Sequence, residues 1–163
     1  MASRLIVVSG ASRGVGLGIC RQALALDPSA EVIVTARNFD QAAAVRDELL
    51  NGSQSAGAPP AARAHALQLD VTDDASCAAA AAALSTMGPP DRPFSLVNNA
   101  GVAFDLPWFP PPWPATGAAD TLAVNLYGAE RLTRALMPKL LGSTDGRCVF
   151  VSSGGGERPD TSS

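Results

Sequence analysis

Histidine, tyrosine and lysine occur once each and cysteine only three times, and these scarcities exclude several kinds of chemistry. The lone His65 lies in an apolar run with no cysteine or carboxylate at ligand spacing. That points to a structural imidazole rather than a metal ligand or a base. Cys20, Cys77 and Cys148 are far apart and odd in number, so they read as small buried hydrophobes in a reducing compartment. No metal site is expected. Positive charge is not massed either: the net charge is -3 and the basic residues are scattered, which leaves no nucleic-acid footprint. No apolar run approaches the roughly 20 residues that a bilayer crossing needs. Met1-Ala2-Ser3-Arg4 leads straight into a β-rich run, leaving no room for a secretory leader, so the cytoplasm is the expected compartment. A length of 163 residues suits a single domain with a proper core.

Glycine is what the chain has, placed with purpose. The apolar run Arg4-Leu5-Ile6-Val7-Val8 enters Ser9-Gly10-Ala11-Ser12-Arg13-Gly14-Val15-Gly16 and then an amphipathic segment to Leu26. This order predicts strand, tight turn, helix. Glycine turns the backbone sharply and leaves no Cβ in the way of a close ligand, and a helix N-terminus favours phosphate. The spacing is G-x-x-x-G-x-G rather than the G-x-G-x-x-G of the dinucleotide fingerprint. Many strand–helix corners carry glycine for steric reasons alone.

The alternation continues. Strands are expected at 31–37, 64–69, 94–97 and 148–151, from their β-branched and apolar runs. Helices are expected at 16–26, 39–50, 75–87 and 118–141, the last with Leu122, Leu126, Leu132 and Leu136 as its apolar stripe. Asp73 sits in the capping position before the alanine-rich helix. Residues 52–62 read as a flexible Gly/Ser/Ala/Pro loop. Five prolines with Trp108 and Trp113 in 106–114 form a loop folded on the surface or over a pocket. Strands alternating with helices predict an α/β parallel sheet covered on both faces by right-handed crossovers. Ligands bind such sheets at the carboxyl ends of the strands. Gly10 to Gly16, Arg37, Asp70, Asn98 to Gly101 and Ser152 to Gly155 all directly follow strands.

Those residues resemble the short-chain dehydrogenase/reductase family. Ser9 to Gly16 is similar to its Thr-Gly-x-x-x-Gly-x-Gly turn, with Ser9 for the threonine, and Asn98-Asn99-Ala100-Gly101 matches its Asn-Asn-Ala-Gly motif. Asp70-Val71 looks like its adenine-contacting pair. Asn125 falls where the family keeps an active-site asparagine, and Ser153 where it keeps its catalytic serine. Val34 to Arg37, Leu96 to Phe104 and Leu136 to Ser153 look most like the carbonyl reductases. The resemblance implies a three-layer Rossmann-type, doubly wound parallel sheet of order 3-2-1-4-5. It implies a nicotinamide-binding domain over residues 1–155, incomplete at its C-terminus and short of two family strands; the polar residues 156–163 read as a disordered tail.

The resemblance also implies roles. Gly10, Ser12, Arg13, Gly14, Val15 and Gly16 would seat the pyrophosphate, Asp70 would accept from the adenine amino group, and Val71 would pack on the base. Asn99, Ala100 and Gly101 would lie along the ribose. An NAD site needs a carboxylate near the end of the second strand, whereas a 2′-phosphate needs an arginine. Arg37 ends that strand and Arg13 sits in the glycine turn, which favours NADP(H); a solvated strand-end charge is the alternative for Arg37. Hydride transfer to a carbonyl substrate is the expected reaction. Ser153 and Asn125 are present, but Tyr-x-x-x-Lys is not: Tyr127 and Lys139 stand twelve residues apart. Carbonyl reduction by this chain is therefore expected to be near background, and the rival reading is a non-catalytic NADP(H)-binding or interaction protein. The helix over 118–141 could serve as a dimer face.

Overall fold

The computed structural model describes residues 3–52, 63–103 and 117–152. Residues 53–62 of the loop expected at 52–62, the proline-rich segment with its two tryptophans, Ser153 and the tail lie outside the described residues. Five parallel strands form one sheet: β1 (Leu5–Val8), β2 (Glu31–Ala36), β3 (Ala64–Gln68), β4 (Phe94–Asn98) and β5 (Gly146–Phe150), in the order β3-β2-β1-β4-β5. The helices are α1 (Gly14–Leu26), α2 (Phe39–Gly52), α3 (Asp74–Ser85), α4 (Gly117–Leu122) and α5 (Ala129–Gly142), with a π-helical stretch, Ala123–Gly128, joining the last two. Strand order and sheet direction are those expected of a doubly wound fold.

Period-two alternation divides the core into two layers. Val8, Val32, Val34 and Val97 pack beneath α1 and α2, against Cys20, Leu24, Val45 and Leu49. Val7, Ile33, Phe94 and Leu96 face the other way, onto Cys77 and Leu84 of α3 and Leu132, Leu136 and Leu140 of α5. Burial pushes both thiols in these layers up, Cys20 to about 12 and Cys77 to about 11. The Asp73 carboxylate accepts from the Ala75 amide at 2.9 Å and caps α3.

Two expectations are corrected. The helix over 118–141 is not one α-helix with one stripe. Leu132 and Leu136 are buried, whereas Leu122 is 48% and Leu126 54% exposed. The wider π turn holds an extra residue, so the inward line passes through Gly128 and leaves those two leucines outside. Cys148 is exposed rather than core, because among the described residues β5 is the sheet edge, pairs with β4 alone, and is exposed at every residue.

Gly128 marks where the π-helical stretch meets the turn between β3 and α3. A Cβ built there would stand 2.7 Å from the Val71 Cγ2. Helix propensity alone would make alanine better than glycine by about 1 kcal/mol, but overpacking costs about 1–3 kcal/mol. Gly128→Ala is expected to destabilise the chain, read as a lower urea midpoint; an unchanged or raised midpoint would contradict the contact.

Candidate functional site

Parallel strands end on a common rim, so the segments that follow them become neighbours although they are distant in sequence. Backbone hydrogen bonds fasten these exits together. The Ala11 amide donates to the Thr35 carbonyl at 2.9 Å, Leu69 to Ala36 at 2.8 Å, and Val151 to Asn98 at 2.9 Å. The structure thus brings Gly10, Ser12, Arg13, Gly14, Val15, Gly16, Arg37, Asp70, Asn99, Ala100 and Gly101 to one rim.

The glycine turn is shaped from behind. The buried Ser9 hydroxyl accepts from the backbone amides of Asn99 and Ala100, each at 2.9 Å. The Asn99 side-chain amide donates to the Ser9 carbonyl at 2.9 Å and to the Gly10 carbonyl at 3.2 Å. Gly10 has φ +64°, and a Cβ there would sit 2.8 Å from the Ala100 Cα, on backbone that cannot yield. Asn99 therefore holds the turn with its side chain, a role that the motif spacing does not disclose. At the outer end the geometry reverses. Gly14 has φ +58° but open space where a Cβ would be, Val15 is 64% exposed, and Arg13 precedes α1 without a side-chain cap. The first-turn amides of such a helix have no intrahelical acceptor, so this end of the turn fits an anion.

Arg13 and Arg37 are both exposed and make no salt bridge among the described residues. The Gln68 side chain donates to the Arg37 carbonyl at 3.0 Å and pins that strand end. Asp70 Oδ1 accepts from the Thr72 amide at 2.9 Å and the Thr72 hydroxyl at 2.7 Å; Oδ2 has no partner among the described residues. Partial burial raises the Asp70 pKa, but the Thr72 hydrogen bonds and the charges of Arg37 and Arg131 outweigh it and hold the carboxyl below its usual range. Val71 is buried beneath Gly128, so its side chain belongs to the core and its part at the rim is to carry Asp70.

Asn125 lies in the π-helical stretch and grips the backbone of Val102 twice, donating to its carbonyl and accepting from its amide, both at 2.8 Å. Ser153 is outside the described residues. Asn98 is buried and donates to the Thr133 hydroxyl at 2.9 Å. Tyr127 is exposed, while Lys139 lies over the Phe94 ring at 5.6 Å, where β4 begins and the opposite rim lies. An apolar groove of about 490 Å³ runs from Asn125 along Ala129, Thr133 and Met137 to Phe150 on the edge strand. Among the described residues no cluster is arranged to hold a metal ion, and no helix is long and apolar enough to cross a membrane.

The family model described as short chain dehydrogenase matches residues 4–162. The chain is 35% identical to (-)-isopiperitenone reductase of Mentha piperita over 189 residues, covering 92% of this chain and 56% of that protein. It is 33% identical to 17-beta-hydroxysteroid dehydrogenase type 1 of Homo sapiens over 164 residues, 96% of this chain and 44% of that one. Its fold superposes with a TM-score of 0.75, at 30% identity, on a metagenomic short-chain oxidoreductase solved in complex with NADP, covering 96% of this chain and 65% of the other. The chain spans about half the length of the curated relatives it matches.

A depressed carboxylate stabilises the fold above its unfolded pKa of about 4 and loses that contribution as the pH falls through its native value. Asp70→Asn keeps an acceptor for Thr72 and removes the titration. The variant is expected to lose less stability than the parent between pH 6 and pH 3, the difference being under about 1 kcal/mol for a group only partly buried. Parallel urea-midpoint curves against pH would refute the assignment.

Proposed function

The chain belongs to the short-chain dehydrogenase family of oxidoreductases, and from that premise we propose that its rim binds NADP(H) and that the whole protein reduces aldehydes or ketones by hydride transfer. One observation carries the coenzyme choice. Two exposed arginines that form no salt bridge among the described residues, Arg13 and Arg37, follow β1 and β2, while the next acid in sequence after Arg37, Asp40, lies in the first turn of α2. A ribose 2′-phosphate is matched by arginine, and a 2′-hydroxyl by a carboxylate at that strand end.

The residues present fit such a group. The first-turn amides and the bare face of Gly14 would take the pyrophosphate, with Ser12 and Val15 beside it. The free oxygen of Asp70 would accept from the adenine amino group. Ala100 and Gly101 would flank the ribose, with Asn99 holding the turn beneath. A bound reduced nicotinamide would supply the hydride. Ser153 would donate to the substrate carbonyl oxygen, and Asn125 would steady the neighbouring backbone at Val102. Proton delivery has no resident pair, since Tyr127 and Lys139 stand near opposite rims. That separation favours a second reading for the 163-residue chain alone, a binder of NADP(H) that turns nothing over.

NADPH consumption with a quinone or aldehyde is expected to stay near background for this chain; robust turnover would refute the second reading. Arg37→Asp is expected to weaken NADPH binding about tenfold or more, as for a lost charged hydrogen bond, while NADH binding changes little. Equal losses for the two coenzymes would remove the 2′-phosphate assignment.

A further inference from the structure

We infer that Arg131 is a positioning residue for the adenine end of this site, setting the turn that carries Asp70 through the backbone of Val71. The role rests on the cofactor reading above. From α5 the guanidinium reaches across to the β3–α3 turn, where Nη1 donates to the Val71 carbonyl at 2.8 Å and Nε to Asp74 Oδ1 at 2.9 Å. Gly128, on the same face one turn earlier, lies against the Val71 side chain. One short length of helix therefore holds Val71 by its carbonyl and by its side chain together. Asp70 precedes Val71 and Thr72 follows it, and the two Thr72 bonds to Oδ1 leave Oδ2 as the oxygen presented to a ligand.

The alternative is an ordinary ion pair between α3 and α5. It explains less of the geometry. Asp74 is 76% exposed and has Arg134 as a second cation at 3.6 Å, and such an exposed pair contributes little. Arg131 itself is only 21% exposed, and its bond to the Val71 carbonyl is partly buried. A forked guanidinium serves a carbonyl and a carboxylate at fixed angles, which an ammonium does not.

Three variants of the full chain test this: Arg131→Met, Arg131→Lys and Asp74→Asn. Binding of NADPH and of adenosine 2′,5′-bisphosphate is measured by calorimetry, and amide exchange by mass spectrometry. Arg131→Met is expected to weaken both ligands by the same factor, about tenfold, and to speed exchange at residues 71–75 while β4 keeps its protection. Arg131→Lys is expected to recover part of both affinities, and Asp74→Asn to leave them as in the parent. Parent-like affinities in Arg131→Met overturn the role, as does a loss confined to NADPH, a loss equalled by Asp74→Asn, or faster exchange throughout the sheet. A parent chain that binds neither ligand overturns the cofactor reading itself and this role with it.

Discussion

One hydroxyl group holds the glycine turn in register with the rest of the sheet. Ser9 Oγ accepts from the Asn99 and Ala100 amides in a place closed to water, where an unpaired amide would cost about 1–3 kcal/mol. Asn99 returns the contact by donating to two carbonyls of the turn. The space left is so tight that any side chain at Gly10 or Gly16 would collide with backbone. The exit of β1 is therefore cut to the shape of the exit of β4. The outward face of the turn, at Gly14 and Val15, stays open because everything behind it is spoken for.

The two ends of the sheet treat charge in opposite ways. Where the strands begin, the buried Arg92 pairs with Glu31 at 2.6 Å and donates to the Ser3 carbonyl at 2.8 Å, and His65 lies 3.3 Å from the same Glu31. Arg4 bonds to Ser95 and to Asp145. Burial raises the Glu31 pKa, yet the Arg92, His65 and Ser3 contacts outweigh it and keep the carboxyl low. Buried charges need such satisfaction to be tolerated. Where the strands end, Arg13 and Arg37 are left to solvent. Charge at the first end is consumed in holding the sheet together, whereas Arg13 and Arg37 at the second form no ion pair among the described residues.

Much of this arrangement was legible in the residues. Val7-Val8, Val32-Ile33-Val34 and Leu96-Val97 are apolar on both sides, the pattern of strands buried between two layers of helix, and each is followed by residues unsuited to a core. Local patterning could not show the break at Ala123. Leu122, Leu126, Leu132 and Leu136 keep helical spacing on paper, and only Gly128, a glycine in mid-helix, hinted that another segment presses close. The parts played by Ser9, Asn99, Val71 and Arg131 depend on partners that are distant in sequence, which no local signal reports. The exposure of Cys148 has a related cause: an apolar strand looks the same at the centre of a sheet and at its edge.

The clamp between Ser9 and Asn99 joins residues 90 positions apart. A contact of that span pays its loop-closure entropy before it returns any stabilisation. Until β4 has docked beside β1, the glycines have nothing to lean on, and their preference for positive φ is only one choice among many open to a glycine. During folding, strand insertion and the appearance of a binding-competent turn are then a single kinetic event, and an intermediate holding only β1, β2 and β3 would carry the motif without its geometry.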